Sequence, residues 1–289
     1  MSLKQKLRTG SFAVLAEMEP PKGVNVSTMI DNAMKARGRV DAFVVPEMSN
    51  AVMRMSSLGG AMILQSKGLE TVVQLNCRDR NRIALQADLL AAAGCGIENV
   101  MAITGKDPGF GDHHQARSVY DIDLLQLLGA VKSLQNGRDM AGIELDGAPE
   151  FLVGSSTIAG SRGMSTELEL GEVHKKVEAG VRFFITPPLF DLQELKSFRS
   201  KLDTGKVHIL PTVVLLKSLG MARYMSRNME NVYIPEELIS RIQKAPDKVR
   251  ECTAIAIETV AMLKREGISG VMLATIGWEH KLPEILEKI

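Results

Sequence analysis

Two closely spaced carboxylates at the end of an apolar run are the first residues here that could do chemistry. The stretch LAEMEPPKG spans residues 15–23, and its two prolines follow directly after Glu17 and Glu19. In a strand, alternate residues face opposite sides, so these glutamates lie opposite the bulkier Phe12 and Met18. A carboxyl group held in apolar surroundings keeps its proton and can act as a general acid. The alternative is a pair of solvated rim residues, or partners of a nearby Lys or Arg.

The elements that must position these acids repeat one pattern along the chain. An apolar-striped helix is followed by a glycine and then by a short, β-rich apolar strand, as expected for parallel strands covered on both faces. Gly94, Gly180 and Gly267 suit left-handed residues that end helices. In the helix that opens the first copy, Ile83, Ala87, Leu90 and Gly94 are expected on the apolar face. The copies run over residues 84–105, 170–188 and 259–277.

Eight such strands, alternating with helical patterns, predict a (β/α)8 TIM barrel as one domain over residues 1–289. A doubly wound open sheet is the alternative, but no GxGxxG follows the first strand. Residues 231–251 predict an added helical segment before the last strand, with Pro235 at a helix start. Strands are predicted near 12–18, 41–46, 71–76, 99–104, 150–155, 181–186, 207–213 and 270–275. In the first strand, the bulky side then faces the helices, and Glu17 and Glu19 point into the barrel at its C-terminal mouth, where barrel active sites are built.

The composition excludes several classes of function. The 35 Lys and Arg balance 34 Asp and Glu, so nothing indicates a nucleic acid or an anionic membrane as partner. No stretch of 18 apolar residues occurs, and the polar start lacks a signal-peptide core. Three cysteines without metal-like spacing and five scattered histidines predict no metal site and a cytoplasmic protein.

Five motifs in order resemble the methylenetetrahydrofolate reductase family, over roughly residues 10–276. The resemblance implies a flavin barrel, with FAD as the expected cofactor and FMN as the alternative. It also implies reduction of 5,10-methylenetetrahydrofolate to 5-methyltetrahydrofolate, or the reverse, in one-carbon metabolism and methionine biosynthesis. The motifs are AEMEPPKG (16–23), NVMAITGKDPGFGDHHQARSVYDIDLLQLL (99–128), HKKVEAGVRFFITPPLFD (174–191), VYIPEELI (232–239) and EGISGVMLATI (266–276).

The same resemblance implies roles for individual residues. Glu17 matches the family's general acid, which supplies a proton to N10 of the folate so that its five-membered ring opens. The residues at flavin-contacting positions come from the third, fourth and fifth strands and from a later helix. They are Gln74, Thr104, Gly105, Lys106, Asp107, Tyr120, Gly154, Ser155, Glu169, Lys175 and Lys176. Without the resemblance, the loop would be interpreted as a solvated turn, and the helix as a solvated face.

Substrate contacts are assigned to Glu19, Asp107, Pro187 and Leu219, and here the chain departs from the family. Pro187 stands where a glutamine usually contacts the substrates, and Leu219 stands where some members have a stacking phenylalanine. Lys106 replaces the loop aspartate, with Asp107 one place later. We therefore expect NADH and NADPH to reduce the flavin poorly, with electrons coming from an iron–sulfur partner subunit. The alternatives are a barrel subunit that is inactive alone, and a flavin-free barrel enzyme acting on an organic phosphate. An oligomer is expected.

Overall fold

Eight parallel strands close into a barrel in strand order 1 to 8. The computed structural model describes residues 1–289. The (β/α)8 prediction is confirmed, and every strand boundary lies within two residues of its predicted position. The strands are β1 Ala13–Glu17, β2 Ala42–Val45, β3 Thr71–Asn76, β4 Asn99–Ile103, β5 Leu152–Ser156, β6 Phe183–Pro188, β7 His208–Val214 and β8 Gly270–Ala274.

Helices surround the barrel, and the added helical segment is present between β7 and β8. There α9 begins directly after Pro235, as predicted, and Glu236 and Glu237 lie in its first turn. Two short 3-10 turns cover Pro108–Phe110 and Glu279–Lys281. The helices are α1 Leu3–Thr9, α2 Ser27–Lys35, α3 Ser57–Ser66, α4 Arg82–Gly94, α5 Leu124–Gln135, α6 Thr166–Glu178, α7 Gln193–Arg199, α8 Leu219–Asn228, α9 Glu236–Lys244, α10 Lys248–Arg265 and α11 Leu282–Leu286.

Two of the three predicted helix-ending glycines are confirmed. Gly180 and Gly267 follow α6 and α10 with φ of 112° and 64°. Gly94 was the wrong residue, because it is the last residue of α4 and the left-handed turn is made by Gly96, with φ of 78°. The helix therefore runs one residue further, to a C-cap at Cys95, before the chain reverses.

The predicted apolar face of α4 was also wrong. Ile83 is 74% exposed and Leu90 is 38% exposed, whereas Leu85, Leu89 and Ala92 are buried against the barrel. Both sets have helical spacing, so periodicity alone did not choose between them. Ile83 is the second residue of α4, two residues after the N-cap Asn81.

The core fills the barrel and the layer between strands and helices. Strands β2, β3 and β8 are buried along their whole length. Gly154 on β5 leaves the space that the fully buried Phe183 ring of the next strand occupies, since a Cβ at residue 154 would overlap that ring. At the N-terminal end, buried Leu3 and Leu7 of α1 pack into the core. No helix is long and apolar enough to cross a membrane.

Candidate active site

The first acid of the opening motif, Glu17, is the last residue of β1 at the C-terminal mouth of the barrel. Its carboxyl group is largely enclosed by protein, and its pKa is raised to about 7, chiefly by burial. The neighbouring carboxylates of Glu19 and Glu279 contribute to the same shift. At neutral pH a substantial fraction of Glu17 is therefore protonated, which is the state that a general acid requires.

Glu19 lies two residues later and has a cation partner. The Nε of Arg54 lies 2.8 Å from its carboxylate, and both side chains are 29% exposed. Burial raises the pKa of Glu19 and Glu279 adds to this, while Arg54 and Lys217 oppose it. Glu19 therefore matches the alternative expectation of a carboxylate paired with a nearby Lys or Arg, whereas Glu17 forms no ion pair.

Glu279 completes a group of three carboxylates. It lies in the 3-10 turn after β8, the strand that pairs with β1. The backbone N–H of Gly277 donates to its carboxylate at 2.9 Å, and the Thr275 hydroxyl lies 3.4 Å away. We define the acid half of the mouth as Glu17, Glu19 and Glu279. Sequence reasoning missed Glu279, whose only signal was its place just after a strand.

A cavity of about 530 Å³ opens on the other side of the mouth, at the ends of β3 to β6. Apolar side chains of β4 and β6 line it, together with polar side chains of β3 and β5 and residues of the loops that follow the strands. Of the predicted flavin and substrate residues, it is lined by Gln74, Thr104, Gly105, Lys106, Glu169, Lys176 and Pro187. A second cavity of about 420 Å³ shares Thr104, Glu172 and Lys176 with the first and adds Tyr120 and Cys77. We refer to both as the cavity half.

The loop after β4 takes a left-handed turn at Gly105, with φ of 92°. A Cβ there would lie 2.9 Å from Cβ of Arg78, so the glycine allows close packing as well as the turn. The buried Arg78 donates to the carbonyl oxygen of Lys106 at 3.0 Å and pairs with Asp79. Arg78, in the loop that follows β3, therefore fixes the shape of the loop after β4.

Asp107 lies outside both cavities. Its carboxylate caps the following 3-10 turn by accepting the N–H of Gly109 at 2.7 Å. Tyr120, by contrast, faces the second cavity, and its hydroxyl donates to the carbonyl oxygen of Gly105 at 3.2 Å. Its φ of 40° is unusual for a non-glycine residue.

Helix α6 contributes one cation, Lys176, and two acids, Glu169 and Glu172, to the cavity half. Lys176 donates to the carbonyl oxygen of Ser156 at 2.9 Å, and burial lowers its pKa despite the nearby Glu169 and Glu172. Glu169 is buried and accepts the N–H of Ile158 at 3.0 Å as well as the Thr157 hydroxyl. Its negative charge is thereby satisfied within the protein.

Besides Asp107 and Glu19, four more of the predicted flavin and substrate residues are not brought to the cavities. Lys175 points to solvent, where it pairs with Glu172 at 2.7 Å. Gly154 faces Phe183, and Ser155 is buried with its hydroxyl 2.9 Å from the carbonyl oxygen of Ala102. Leu219 begins α8 and packs on the core. Sequence reasoning missed Ser49, Ser156 and Thr157, which line the larger cavity.

A clasp on Asp112 joins three loops of the mouth. Its carboxylate accepts hydrogen bonds from Lys22, from the N–H of Met53 at 2.9 Å, and from His113 at 2.8 Å. These hydrogen bonds hold the pKa of Asp112 well below its usual range. The clasp ties the β4 loop of the cavity half to the β1 and β2 loops beside Glu19 and Arg54. No group of three or more His, Cys, Asp and Glu side chains is arranged to hold a metal ion.

Comparison with known proteins places this arrangement in a family. The model of the methylenetetrahydrofolate reductase family matches residues 2–289. Methylenetetrahydrofolate reductase 2 of Schizosaccharomyces pombe is 21% identical over 99% of this chain, which spans only 47% of that relative. The 5,10-methylenetetrahydrofolate reductases of Salmonella typhimurium and Escherichia coli are each 25% identical, over 74% and 72% of this chain and 68% and 66% of their own lengths.

A solved structure agrees in fold. A protein of Clostridium thermocellum, described as binding two copies of 5-methyl-5,6,7,8-tetrahydrofolic acid, superposes with a TM-score of 0.64 at 16% identity. The match covers 99% of this chain and 98% of that one. At this identity, the likeness supports the barrel fold alone. Because the family model spans nearly the whole sequence, the chain belongs to the methylenetetrahydrofolate reductase family.

Proposed function

We propose that the protein interconverts 5,10-methylenetetrahydrofolate and 5-methyltetrahydrofolate with a bound flavin. The observation that carries this proposal is Glu17, a carboxyl group with a pKa of about 7 at the barrel mouth. In the reductive direction its proton goes to N10 of the folate as the bond from N10 to the methylene carbon breaks. Hydride then adds to that carbon, which becomes the 5-methyl group. The family membership and the relatives' names support the same reaction.

The hydrogen-bond donors and positive charges of the cavity half are suited to binding a flavin. Gln74 offers an amide nitrogen whose one protein contact is the sulfur of Met101, at 3.8 Å. Lys106 and Lys176 supply positive charge suited to phosphate oxygens, and Glu169 has its charge satisfied by Thr157 and Ile158. The bound flavin would supply hydride transfer, while these residues bind and orient it. The two joined cavities favour FAD over the shorter FMN.

The predicted substrate-contact positions indicate which molecule donates electrons to the flavin. Pro187 lines the larger cavity and has neither an amide donor nor a side-chain acceptor, and Leu219 lies outside both cavities. We infer that NADH and NADPH are poor donors and that an iron–sulfur partner subunit reduces the flavin. Cytoplasmic location, an oligomeric state, a single-domain organisation and a role in methionine biosynthesis belong to the same proposal.

A second candidate comes from the Clostridium thermocellum protein, which is described as binding two methyltetrahydrofolate molecules. Two folates, one in each half of the mouth, would make this protein a flavin-free folate binder. The acid half would hold one pterin and the cavity half the other. Binding stoichiometry separates the candidates, because the reductase holds one flavin and one folate.

The test begins with purification and an absorption spectrum. A yellow protein with one flavin per chain, reduced on anaerobic mixing with 5-methyltetrahydrofolate, is the expected result. A colourless protein that ignores added FAD and FMN and binds two folates would overturn the reductase in favour of the second candidate. Stopped-flow mixing with NADH and NADPH addresses the donor, since rapid, complete bleaching by either would remove the need for a partner subunit.

A further inference from the structure

The amide of Gln74 has a fixed orientation in the floor of the larger cavity. The side chain is 9% exposed, and its Oε1 lies 3.1 Å from the backbone nitrogen of Glu47. A backbone N–H can only donate, so the amide atom that faces it must be the oxygen. The Nε2 group is therefore turned the other way, towards the Sδ of Met101 at 3.8 Å.

Glu47 itself is held by a buried network. It is 0% exposed, and one carboxylate oxygen accepts the N–H and hydroxyl of Ser57, at the start of α3. The other oxygen accepts from Arg80 at 3.2 Å, and the backbone carbonyl oxygen of Glu47 accepts from Asn76 at 3.2 Å. The residue whose N–H orients Gln74 is thus fixed from β2, β3 and α3 together.

We propose that Gln74 is a specificity-determining residue that presents only a hydrogen-bond donor to the ligand in this cavity, with Glu47 as its positioning residue. The ligand edge that meets it must carry an acceptor, such as a carbonyl oxygen or an unprotonated ring nitrogen. The identity of the ligand, a flavin, rests on the proposed function. The orientation of the amide rests only on its hydrogen bond with the N–H of Glu47.

The selectivity follows from what the amide can do. Sulfur is a weak acceptor, so the Nε2 group gains a full hydrogen bond when a ligand oxygen or nitrogen replaces it. A ligand N–H at the same place would face another N–H, and the amide cannot flip without breaking the bond to Glu47. Leaving a buried polar group unpaired costs more than one ordinary hydrogen bond contributes.

The test compares two variants that change the amide differently. Gln74→Met removes both the donor and the acceptor, and Gln74→Glu keeps an acceptor for the Glu47 N–H while replacing the donor by a carboxylate oxygen. Titration with FAD and FMN, followed by flavin fluorescence, is expected to show binding weakened several-fold by Gln74→Met. Gln74→Glu should weaken it tenfold or more, because two acceptors then face each other. Gln65→Glu makes the same chemical change at an amide bonded to Gly96, outside both cavities, and should bind as the parent does.

Hydrogen–deuterium exchange of the Glu47 amide tests the orientation without any ligand. We expect faster exchange in Gln74→Met and parent-like protection in Gln74→Glu, which retains the acceptor. Unchanged protection in Gln74→Met would overturn the fixed orientation, and parent-like flavin affinity in Gln74→Glu would overturn the specificity. A parent protein that binds no flavin would instead remove the proposed function, and the exchange result would still decide how the amide is oriented.

Discussion

The acid half and the cavity half of the mouth are built alike but differ in charge. Both consist of side chains placed where a barrel strand ends, which is where such barrels build their sites. In the acid half, burial together with the carboxylates of Glu19 and Glu279 raises the pKa of Glu17 to about 7. In the cavity half, Lys106, Lys176 and the donor amide of Gln74 face a larger open space.

The difference teaches that burial has opposite uses in the two halves. Burial keeps a proton on Glu17, because the charged form of an acid is disfavoured away from water. Burial lowers the pKa of Lys176, so its ammonium form depends more on an anionic partner. The acid half is therefore suited to proton transfer and the cavity half to holding an anionic ligand. The following predictions test that division.

The largest effect is expected from Glu17→Gln on folate chemistry. An amide of the same shape cannot supply the proton for ring opening, so methylenetetrahydrofolate reduction should fall by about 10²–10⁴-fold. Reduction of the flavin by an artificial donor should be nearly unchanged, because the cavity half is intact. Stopped-flow measurement of both half-reactions decides this. Equal folate rates in variant and parent would move the acid role to Glu19.

The same substitution should stabilise the fold above neutral pH. The pKa of Glu17 is about 7 in the folded protein against an ordinary value of 4.5, so the folded state binds more protons between these values. Stability that the parent has at low pH is therefore lost as the pH rises from about 4.5 to 7. At pH 8 the free energy of unfolding of Glu17→Gln should exceed that of the parent by about 3 kcal/mol, because each pKa unit corresponds to about 1.36 kcal/mol. The gain should vanish near pH 4, as measured by urea unfolding at both values.

Lys176→Met should weaken flavin retention by about tenfold, the size expected when a charged hydrogen bond is lost. Lys175→Met is the matched control, because Lys175 is adjacent in sequence but pairs with Glu172 in solvent. Equilibrium dialysis at low and high salt gives the comparison. If both variants retain flavin equally, the cavity half does not use this lysine for the phosphates.

The smallest effect is expected from Glu279→Gln, which removes one negative charge near Glu17. The pKa of Glu17 should move down from about 7, because one of the charges that raise it is gone. The high-pH limb of the folate rate profile should then shift to lower pH, with little change in the maximum rate. An unshifted limb would show that Glu279 makes no contribution and that burial and Glu19 set the pKa of Glu17.

The sequence predicted the barrel well because the strands are nearly continuous apolar runs. Every strand was found within two residues, since parallel strands covered on both faces have that pattern. The face of α4 was missed because two sets of residues share the helical spacing, and only packing selects Leu85 and Leu89.

Site residues were predictable where a strand end fixes their direction and less so elsewhere. Gln74 and Thr104 were assigned from the family resemblance at the ends of β3 and β4, and both line the cavity. Asp107 was assigned from the same resemblance, but a local turn uses its carboxylate. Lys175 and Lys176 are adjacent on one helix and differ only in the direction they face. Glu279 is more than 250 residues from Glu17, so only the closure of β8 onto β1 brings them together.

The packing of Phe183 into the space beside Gly154 constrains which substitutions related sequences can carry at residue 154. A side chain at residue 154 and a phenyl ring at residue 183 exclude each other, because a Cβ on Gly154 would overlap the ring. The two positions lie opposite each other on paired strands, so a side chain cannot be added at residue 154 while the ring at residue 183 stays in place. In lineages that diverge from this sequence, the glycine should be replaced only where the phenylalanine is replaced as well.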